Sequence, residues 1–254
     1  MLPSERHKLI CQWVSEDRSL SLKELSQRLD ASTMTIRRDL DLLDWQGLVK
    51  RVRGGVIAVD SLSTKFLFED RSMQNVPEKR KIAVFAAENL VQNNDILFLE
   101  GGTTVHMMVK HLFQSNLTVL TNGLRIISDL ADKQPKITVL SSGGNVDYSE
   151  QIYIGPHAAA FFGNFRAHKC FVGADGLTLE DGATEAYLSE NEIKRAMVKY
   201  AKEVILLIDS AKIGTSSLVP AIEIEGISTV VTDSGAPKDV LDGLAEQGVT
   251  VHVV

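Results

Sequence analysis

At roughly 100–200 residues per domain, a chain of 254 residues holds one large domain or two modest ones. Hydrophobic residues make up 44% of it, charged residues 24% and aromatic residues 6%, enough apolar surface for a real core and so no disordered chain. A formal charge of −6 excludes a uniformly basic coat for nucleic acid, and no uncharged apolar run approaches the ~18 residues of a membrane span.

The charge is unevenly divided. Residues 1–57 hold 10 Lys and Arg against 8 Asp and Glu, a net of +2, while the remaining residues hold 17 against 25, a net of −8. Such asymmetry predicts two modules with different partners. The start, Met1-Leu2-Pro3-Ser4-Glu5-Arg6-His7-Lys8, is charged and lacks the apolar stretch of a secretory signal. Cys11 and Cys170 match no metal or redox spacing, so the expected setting is a reducing cytoplasm.

Three helical patterns occupy the first 46 residues. Ser4 is the expected cap of the first, with Leu9, Ile10, Trp13 and Val14 at 3.6-residue spacing. Ser21 caps the second in a capping box with Glu24, and Leu22, Leu25 and Leu29 point inward. After a short Asp30-Ala31 connection, Ser32 caps the third. There Ile36, Leu40 and Leu43 share one face, Met34, Arg38 and Asp41 the opposite one, and Arg37 the flank. Gly47 ends this helix, and Leu48 to Ile57 predicts two small strands around Gly54-Gly55. The arrangement is a winged helix-turn-helix. Ser32, Thr33, Thr35, Arg37 and Arg38 are its candidate groove contacts, because short hydroxyl side chains admit the helix and Arg pairs bidentately with guanine. Lys50, Arg51 and Arg53 of the wing would neutralise phosphates. The alternative is a three-helix bundle whose arginines are a solvated face, paired with Asp39 and Asp41.

Leu22-Lys23-Glu24-Leu25, Ser32-Thr33-Met34-Thr35-Ile36-Arg37-Arg38-Asp39-Leu40 and Gly47-Leu48-Val49-Lys50-Arg51-Val52-Arg53-Gly54-Gly55 closely resemble the DeoR/GlpR family of bacterial sugar-metabolism regulators. The Thr-Ile-Arg-Arg-Asp-Leu run with a Gly-Gly wing downstream is specific to that family, which favours DNA binding over the plain bundle.

Asp60 to Pro77 is polar and interrupted by Ser61, Ser63, Thr64, Asn75 and Pro77, with one apolar patch at Phe66-Leu67-Phe68. Three segments follow: a winged helix-turn-helix domain at 1–57, a linker at 58–77 and a larger domain at 78–254. In the last, Glu78–Leu90 is a predicted helix behind Pro77. Strands are expected at Ile96–Leu99, Thr118–Leu120, Ile137–Leu140, Cys170–Val172, Val204–Ile208, Thr229–Val231 and Thr250–Val253. Helices alternate with them at Val105–Leu112, Leu124–Leu130, His157–Phe162, Glu190–Tyr200 and Pro237–Gln247. The fold class is α/β, an open and mostly parallel sheet covered on both faces.

Six strand ends carry polar, glycine-containing or charged tips, where open α/β sheets bind ligands. Gly101-Gly102-Thr103-Thr104 offers free N–H groups and hydroxyls as a phosphate cradle, although it matches neither a Walker loop nor G-x-G-x-x-G. Lys194 and Lys212 supply cations, while Asp175 and Glu185 accept hydrogen bonds from sugar hydroxyls. The competing reading pairs Lys194 with Glu190 on a helix surface. With Glu100, Thr121, Asn122, Gly123, Gly144 and Gly176, these residues make the candidate effector site. His106, His111, His157 and His168 have no metal spacing, and no metal, cofactor or catalytic group is expected.

The family resemblance continues through Glu100-Gly101-Gly102-Thr103-Thr104, Thr121-Asn122-Gly123-Leu124, Gly143-Gly144, Phe171-Val172-Gly173-Ala174-Asp175-Gly176, Lys194-Arg195-Ala196-Met197 and Asp209-Ser210-Ala211-Lys212-Ile213-Gly214, so that it spans nearly the whole chain. It implies an effector domain similar to ribose-5-phosphate isomerase, and hence a phosphorylated-sugar ligand. The enzyme's Lys-Gly-Gly-Gly stretch is replaced here by Asp181-Gly182-Ala183-Thr184-Glu185, and Glu100 stands where the family usually has Asp, a change that bears on sugar selectivity. The expected function is a DNA-binding transcriptional regulator, a repressor of a carbohydrate catabolic operon controlled by a sugar phosphate. Its partners are double-stranded operator DNA, the effector and further copies of itself, as a homodimer or homotetramer, because one winged helix buries too little surface for regulatory affinity. The rival is a sugar-phosphate isomerase or deaminase with an accessory N-terminal domain, and a weaker third reading is a ligand-independent architectural DNA protein.

Overall fold

Hydroxyl groups start two helices of the N-terminal region where the pattern expects them. The computed structural model describes residues 3–17, 19–45, 48–52, 54–57, 68–131 and 137–254. The chain divides into two units, residues 1–66 and 67–254.

The first unit runs α1 (Pro3–Asp17), β1 (Ser19–Ser21), α2 (Leu22–Arg28), α3 (Thr33–Trp45), β2 (Lys50–Val52) and β3 (Gly55–Ile57). Ser21 Oγ accepts from the Glu24 N–H and Glu24 Oε2 from the Ser21 N–H, closing the capping box at α2. Ser32 Oγ accepts from the Thr35 N–H at 3.1 Å and so caps α3. Ser4, by contrast, lies inside α1, because the helix already starts at Pro3, a residue suited to a first turn. The expected end of α3 at Gly47 lies outside the described residues. Ile10, Val14, Leu25, Leu29, Ile36, Leu40 and Leu43 are all buried in one small core, with Leu9, Trp13 and Leu22 at its margin. A third strand completes the wing, in order β1-β3-β2. The two turn glycines have separate causes. Gly54 has φ +91°, and a Cβ on Gly55 would lie 2.4 Å from the Leu20 carbonyl oxygen across the β1–β3 pair.

The second unit begins with α4 (Phe68–Met73) and α5 (Val76–Asn89). Of the expected linker, residues 58–67 lie outside the described residues, but the part from 68 onward is built into this unit. Phe68 is buried, its N–H donates to the Ser149 carbonyl at 3.0 Å, and Asn75 Nδ2 donates to Asp209 Oδ1 at 2.8 Å. One apolar anchor and a few long-range polar contacts hold a six-residue helix too short to show a period.

Then come β4 (Ile96–Leu99), α6 (Thr103–Val109), β5 (Leu117–Thr121), α7 (Leu124–Ala131), β6 (Ile137–Ser141), β7 (Asn145–Asp147), β8 (Ile152–Ile154), α8 (Pro156–Phe162) and β9 (Ala167–Val172). The chain continues through β10 (Gly176–Thr178), β11 (Gly182–Glu185), α9 (Leu188–Lys199), β12 (Ala201–Leu207), β13 (Val219–Ile222), β14 (Thr229–Thr232), α10 (Lys238–Glu246) and β15 (Thr250–Val253). Seven strands form one sheet in the order β15-β14-β12-β9-β4-β5-β6, and every pair is parallel. Strand periodicity splits the buried residues between two cores. Phe98, Cys170, Val172 and Leu206 face α8, α9 and α10, whereas Leu97, Leu99, Phe171, Ile205 and Leu207 face α5, α6 and α7. The antiparallel sheet β10-β11-β13 and the β7–β8 hairpin, which no sequence period announced, lie outside this pattern.

Strand order fixes where a ligand can bind. From β4 the chain builds β5 and β6 to one side, then returns to place β9, β12, β14 and β15 on the other. The loops leaving β4 and β9 therefore diverge, and a crevice opens at their carboxyl ends.

Candidate functional site

In the first unit, α3 presents Thr33, Met34, Arg37, Arg38 and Asp41 to solvent, with Met34 59% exposed. Both arginines are exposed and neither forms an ion pair among the described residues, so the expected i,i+4 pairing with Asp39 and Asp41 is absent. The acidic residues are engaged elsewhere. Asp39 is buried and receives Arg6 Nε at 2.5 Å and His7 Nε2 at 2.9 Å, which brace α1 against α3. Burial alone would raise the Asp39 pKa, but these hydrogen bonds outweigh it and hold the carboxyl below its ordinary value. Asp41 pairs with the Arg51 guanidinium, and Asp44 Oδ1 accepts from the Arg51 N–H at 2.8 Å, so α3 positions the wing. Arg51 is thereby part-neutralised, a pairing the sequence pattern missed. Ser32 and Thr35 share a hydrogen bond at 2.9 Å. The Lys50 side chain and Arg53 lie outside the described residues.

In the second unit, the crevice between β4 and β9 encloses about 580 Å³ of space, part of it open to solvent. Glu100 to Thr104 line it from β4, Asn122 from β5, Gly173 to Asp175 from β9, and Leu207 to Asp209 with Lys212 from β12. Glycine lets two of these loops meet. A Cβ on Gly101 would lie 2.2 Å from Ile152 Cγ2 and 3.2 Å from the Gly123 Cα. Asn122 ties the same loops together, accepting from the Gly101 N–H at 3.1 Å and donating to the Tyr153 carbonyl at 3.3 Å.

Lys194 is the buried hub. Its ammonium, 1% exposed, meets Glu185, lies 3.0 Å from Glu100 Oε1 and donates to the Gly173 carbonyl at 2.5 Å. Burial opposes its charge, but Glu100 and Glu185 outweigh burial and push its pKa upward, so it stays an ammonium. The surface pair with Glu190 is therefore not formed in place of a buried one: i−4 spacing is outbid by two carboxylates that the sheet brings from β4 and β11. Glu100 Oε2 also accepts from the Gly173 N–H at 2.8 Å, locking the β4 and β9 loops together across the crevice.

Nearer the opening, Asp175 Oδ1 lies 3.4 Å from Lys212 Nζ and 3.6 Å from Arg71 Nη1. Burial opposes its ionisation, yet Lys212 and then Arg71 prevail and hold its pKa at about 2. Lys212 also donates to the Ala174 carbonyl at 2.7 Å. Arg71, Glu150, Glu190 and Asp209 complete the charged lining; Asp209 stands in a strand tip the sequence marked and Glu190 was expected only as a surface partner of Lys194, while Arg71 and Glu150 carried no sequence signal. Three cations thus face six carboxylates, a wall able to accept hydroxyl donors but acidic in its overall field.

Four expected site residues are not in this lining. Thr121 is fully buried and spends its hydroxyl on the Leu99 carbonyl, 2.6 Å away. Gly123 packs against Gly101, Gly144 (φ +109°) against Ile154 and Ala158, and Gly176 against Thr215. Thr121, Gly123 and Gly176 are buried and shape the loops from behind the cavity surface, whereas Gly144 is exposed and lies outside the lining. Among the described residues no cluster of His, Cys, Asp and Glu could hold a metal, and no helix is long and apolar enough to cross a membrane.

A winged helix offering two exposed arginines, followed by an open parallel sheet with a charged crevice at its switch point, is the build of a transcription regulator. The chain belongs to the DeoR family of such regulators: residues 6–62 match the DeoR-like helix-turn-helix domain and residues 74–234 the DeoR C terminal sensor domain. It is similar to the HTH-type transcriptional regulator GolR of Listeria innocua, 34% identical over all of this chain and 99% of that protein. The putative aga operon transcriptional repressor of Escherichia coli O157:H7 is 32% identical over 99% of this chain and 94% of its own. The HTH-type transcriptional regulator GlpR of Haloferax volcanii is 31% identical over 99% and 98%. These relatives are named as regulators, not as enzymes. Among solved structures, a probable sor operon regulator from Shigella flexneri aligns over 66% of this chain and 88% of its own, with 16% identity and a TM-score of 0.46. Ribose 5-phosphate isomerase from Plasmodium falciparum aligns over 54% and 52%, with 14% identity and a TM-score of 0.39.

Proposed function

We propose that this chain is a repressor of a carbohydrate catabolic operon, acting in the cytoplasm as a homodimer or homotetramer and released from its operator by a phosphorylated sugar. The observation that carries the reading is the crevice itself, which sets cations, backbone N–H groups, hydroxyls and carboxylates around one space at the switch point. In this reading Gly101, Gly102, Thr103, Thr104 and Lys212 take the phosphate, and Asn122 and Asp175 take sugar hydroxyls. Lys194 and Glu185 act through Glu100, which they hold in place. Because the wall is acidic overall, the anion is bound by local donors and not by long-range attraction. In the first unit Arg37 and Arg38 read base edges from α3, while Arg51 and the wing address the backbone.

Thermal melting of the full-length protein against a panel of pentose and hexose phosphates tests the proposal. A ligand at about 100 times its Kd raises stability by roughly 2.7 kcal/mol, and the matching unphosphorylated sugars should give no shift. Equal shifts with phosphorylated and plain sugars would refute the phosphate assignment.

A further inference from the structure

Arg71 belongs to α4, the first described element after residues 58–67, so it stands where the chain coming from the DNA-binding unit enters the sensor unit. Its side chain lines the crevice and is 19% exposed. One Nη donates to Glu150, whose side chain is 1% exposed. The other lies 3.6 Å from Asp175, too far for a hydrogen bond. Nε is buried and has no acceptor among the described residues. A guanidinium offers five N–H donors in a planar fork, and here most of that fork is unspent.

Resting on the sugar-phosphate reading above, we infer that Arg71 joins Lys212 and the 101–104 loop in holding the ligand's anionic group and is the link by which ligand binding reaches α4. Anionic oxygens of the ligand take an Nη1–H and the second Nη2–H, the end of the fork, replacing the loose contact to Asp175, while Glu150 remains the pivot on Nη2. Asp175 tolerates the exchange because it keeps Lys212 at 3.4 Å and the Ala186 N–H at 3.1 Å. The fork matches a phosphate bidentately, which a lysine cannot do.

Two further observations agree. Lys79, 2% exposed, donates from Nζ to the Arg71 carbonyl at 2.6 Å. Burial, and after it the positive charge of Lys212 and Arg71, brings the Lys79 pKa down to about 8, so three cations crowd a region suited to an anion. Meanwhile α4 touches the crevice walls on several sides: Phe68 packs on His106 of α6 with ring centroids 5.7 Å apart and bonds Ser149, beside Glu150. A shift of Arg71 therefore moves against fixed points and is passed along α4.

The test uses the full-length protein with ribose 5-phosphate, fructose 6-phosphate and inorganic phosphate as probes. Calorimetric titration should show the probe that binds wild type binding Arg71→Ala about 10- to 100-fold more weakly, the loss expected for charge-assisted hydrogen bonds. Arg71→Lys, which keeps the charge and loses the fork, should be at least 5-fold weaker than wild type, on the order expected for a lost bidentate geometry. Amide exchange over residues 68–75 should change on adding the probe to wild type and stay constant in Arg71→Ala. Wild-type affinity in both variants overturns the receptor role, and unmoved exchange in ligand-bound wild type overturns the link. If no probe binds wild type, the sugar-phosphate reading itself fails and takes this inference with it.

Discussion

The two units treat charge in opposite ways. In the first, Arg37 and Arg38 stand exposed on α3 while the acids beside them are drawn aside, Asp39 into a buried brace with Arg6 and His7, Asp41 onto Arg51. In the second, charges are folded inward: Lys194 is enclosed by Glu100, Glu185 and the Gly173 carbonyl, and Asp175 is shared by Lys212 and Arg71. An exposed cation serves an external polyanion, where displaced counterions supply the affinity. An enclosed network serves a small ligand, because among buried charges such as Lys194 and Glu185 each change of partner carries a large energy. The contrast explains how a chain of net charge −6 can hold a DNA reader: the excess acid belongs to the second unit, while residues 1–57 carry a net of +2.

The largest test of that contrast removes the hub. Lys194→Met strands Glu100 and Glu185 in the crevice and should destabilise the second unit by about 3–5 kcal/mol, the usual cost of breaking a buried pair. Urea unfolding should show the loss in the second unit's transition alone, since the first unit has its own core. Adding Glu185→Gln should restore part of it. If the single variant is as stable as wild type, the network is not what organises the crevice.

A pH series sharpens the same comparison. Lys79 titrates near 8 in the folded chain against 10.5 in an ordinary lysine. Between these values the unfolded chain binds the extra proton, so stability rises with pH from about 8 to 10.5, by on the order of 3 kcal/mol. Asp175, held at about 2 against an ordinary 3.8, contributes stability that is present above pH ~4 and lost as pH falls toward 2. Lys79→Met should flatten the alkaline rise, and a rise that persists in this variant would assign it to another group.

Smaller effects belong to the first unit. Arg38→Ala should weaken operator binding in fluorescence anisotropy by about 5- to 150-fold, matching the roughly 1–3 kcal/mol of a bidentate base contact, without moving either unfolding transition. Equal binding would remove Arg38 from the reading face. Ser21→Ala breaks the capping box and should cost about 1 kcal/mol, seen as a lower melting temperature of the first unit only.

Local signals were legible. Ser21-x-x-Glu24, the Ile36-Leu40-Leu43 stripe and the aliphatic strands each depend on neighbours a few residues away, and each formed where expected. The polar strand tips were also readable, because strand ends in a parallel sheet converge on one edge. What stayed hidden were partnerships across long separations. Arg71 meets Glu150 and Asp175 from 79 and 104 positions away, and it sits on a six-residue helix with one buried apolar anchor. Thr121, Gly123, Gly144 and Gly176 show the other side: glycine and threonine at a strand end suit close packing as well as ligand contact, and these four are absent from the crevice lining.

The central claim is that the sensor's ligand sets the reader's grip on DNA. Operator fragments can be selected by the full-length protein from a random library, and their affinity then measured with and without a saturating sugar phosphate that the protein binds. The account predicts a change of at least 5-fold, up to about 150-fold, in operator affinity, the span of a coupling of ~1–3 kcal/mol, with the same factor appearing in ligand affinity when DNA is present. Ligand binding that leaves operator affinity unchanged would contradict it.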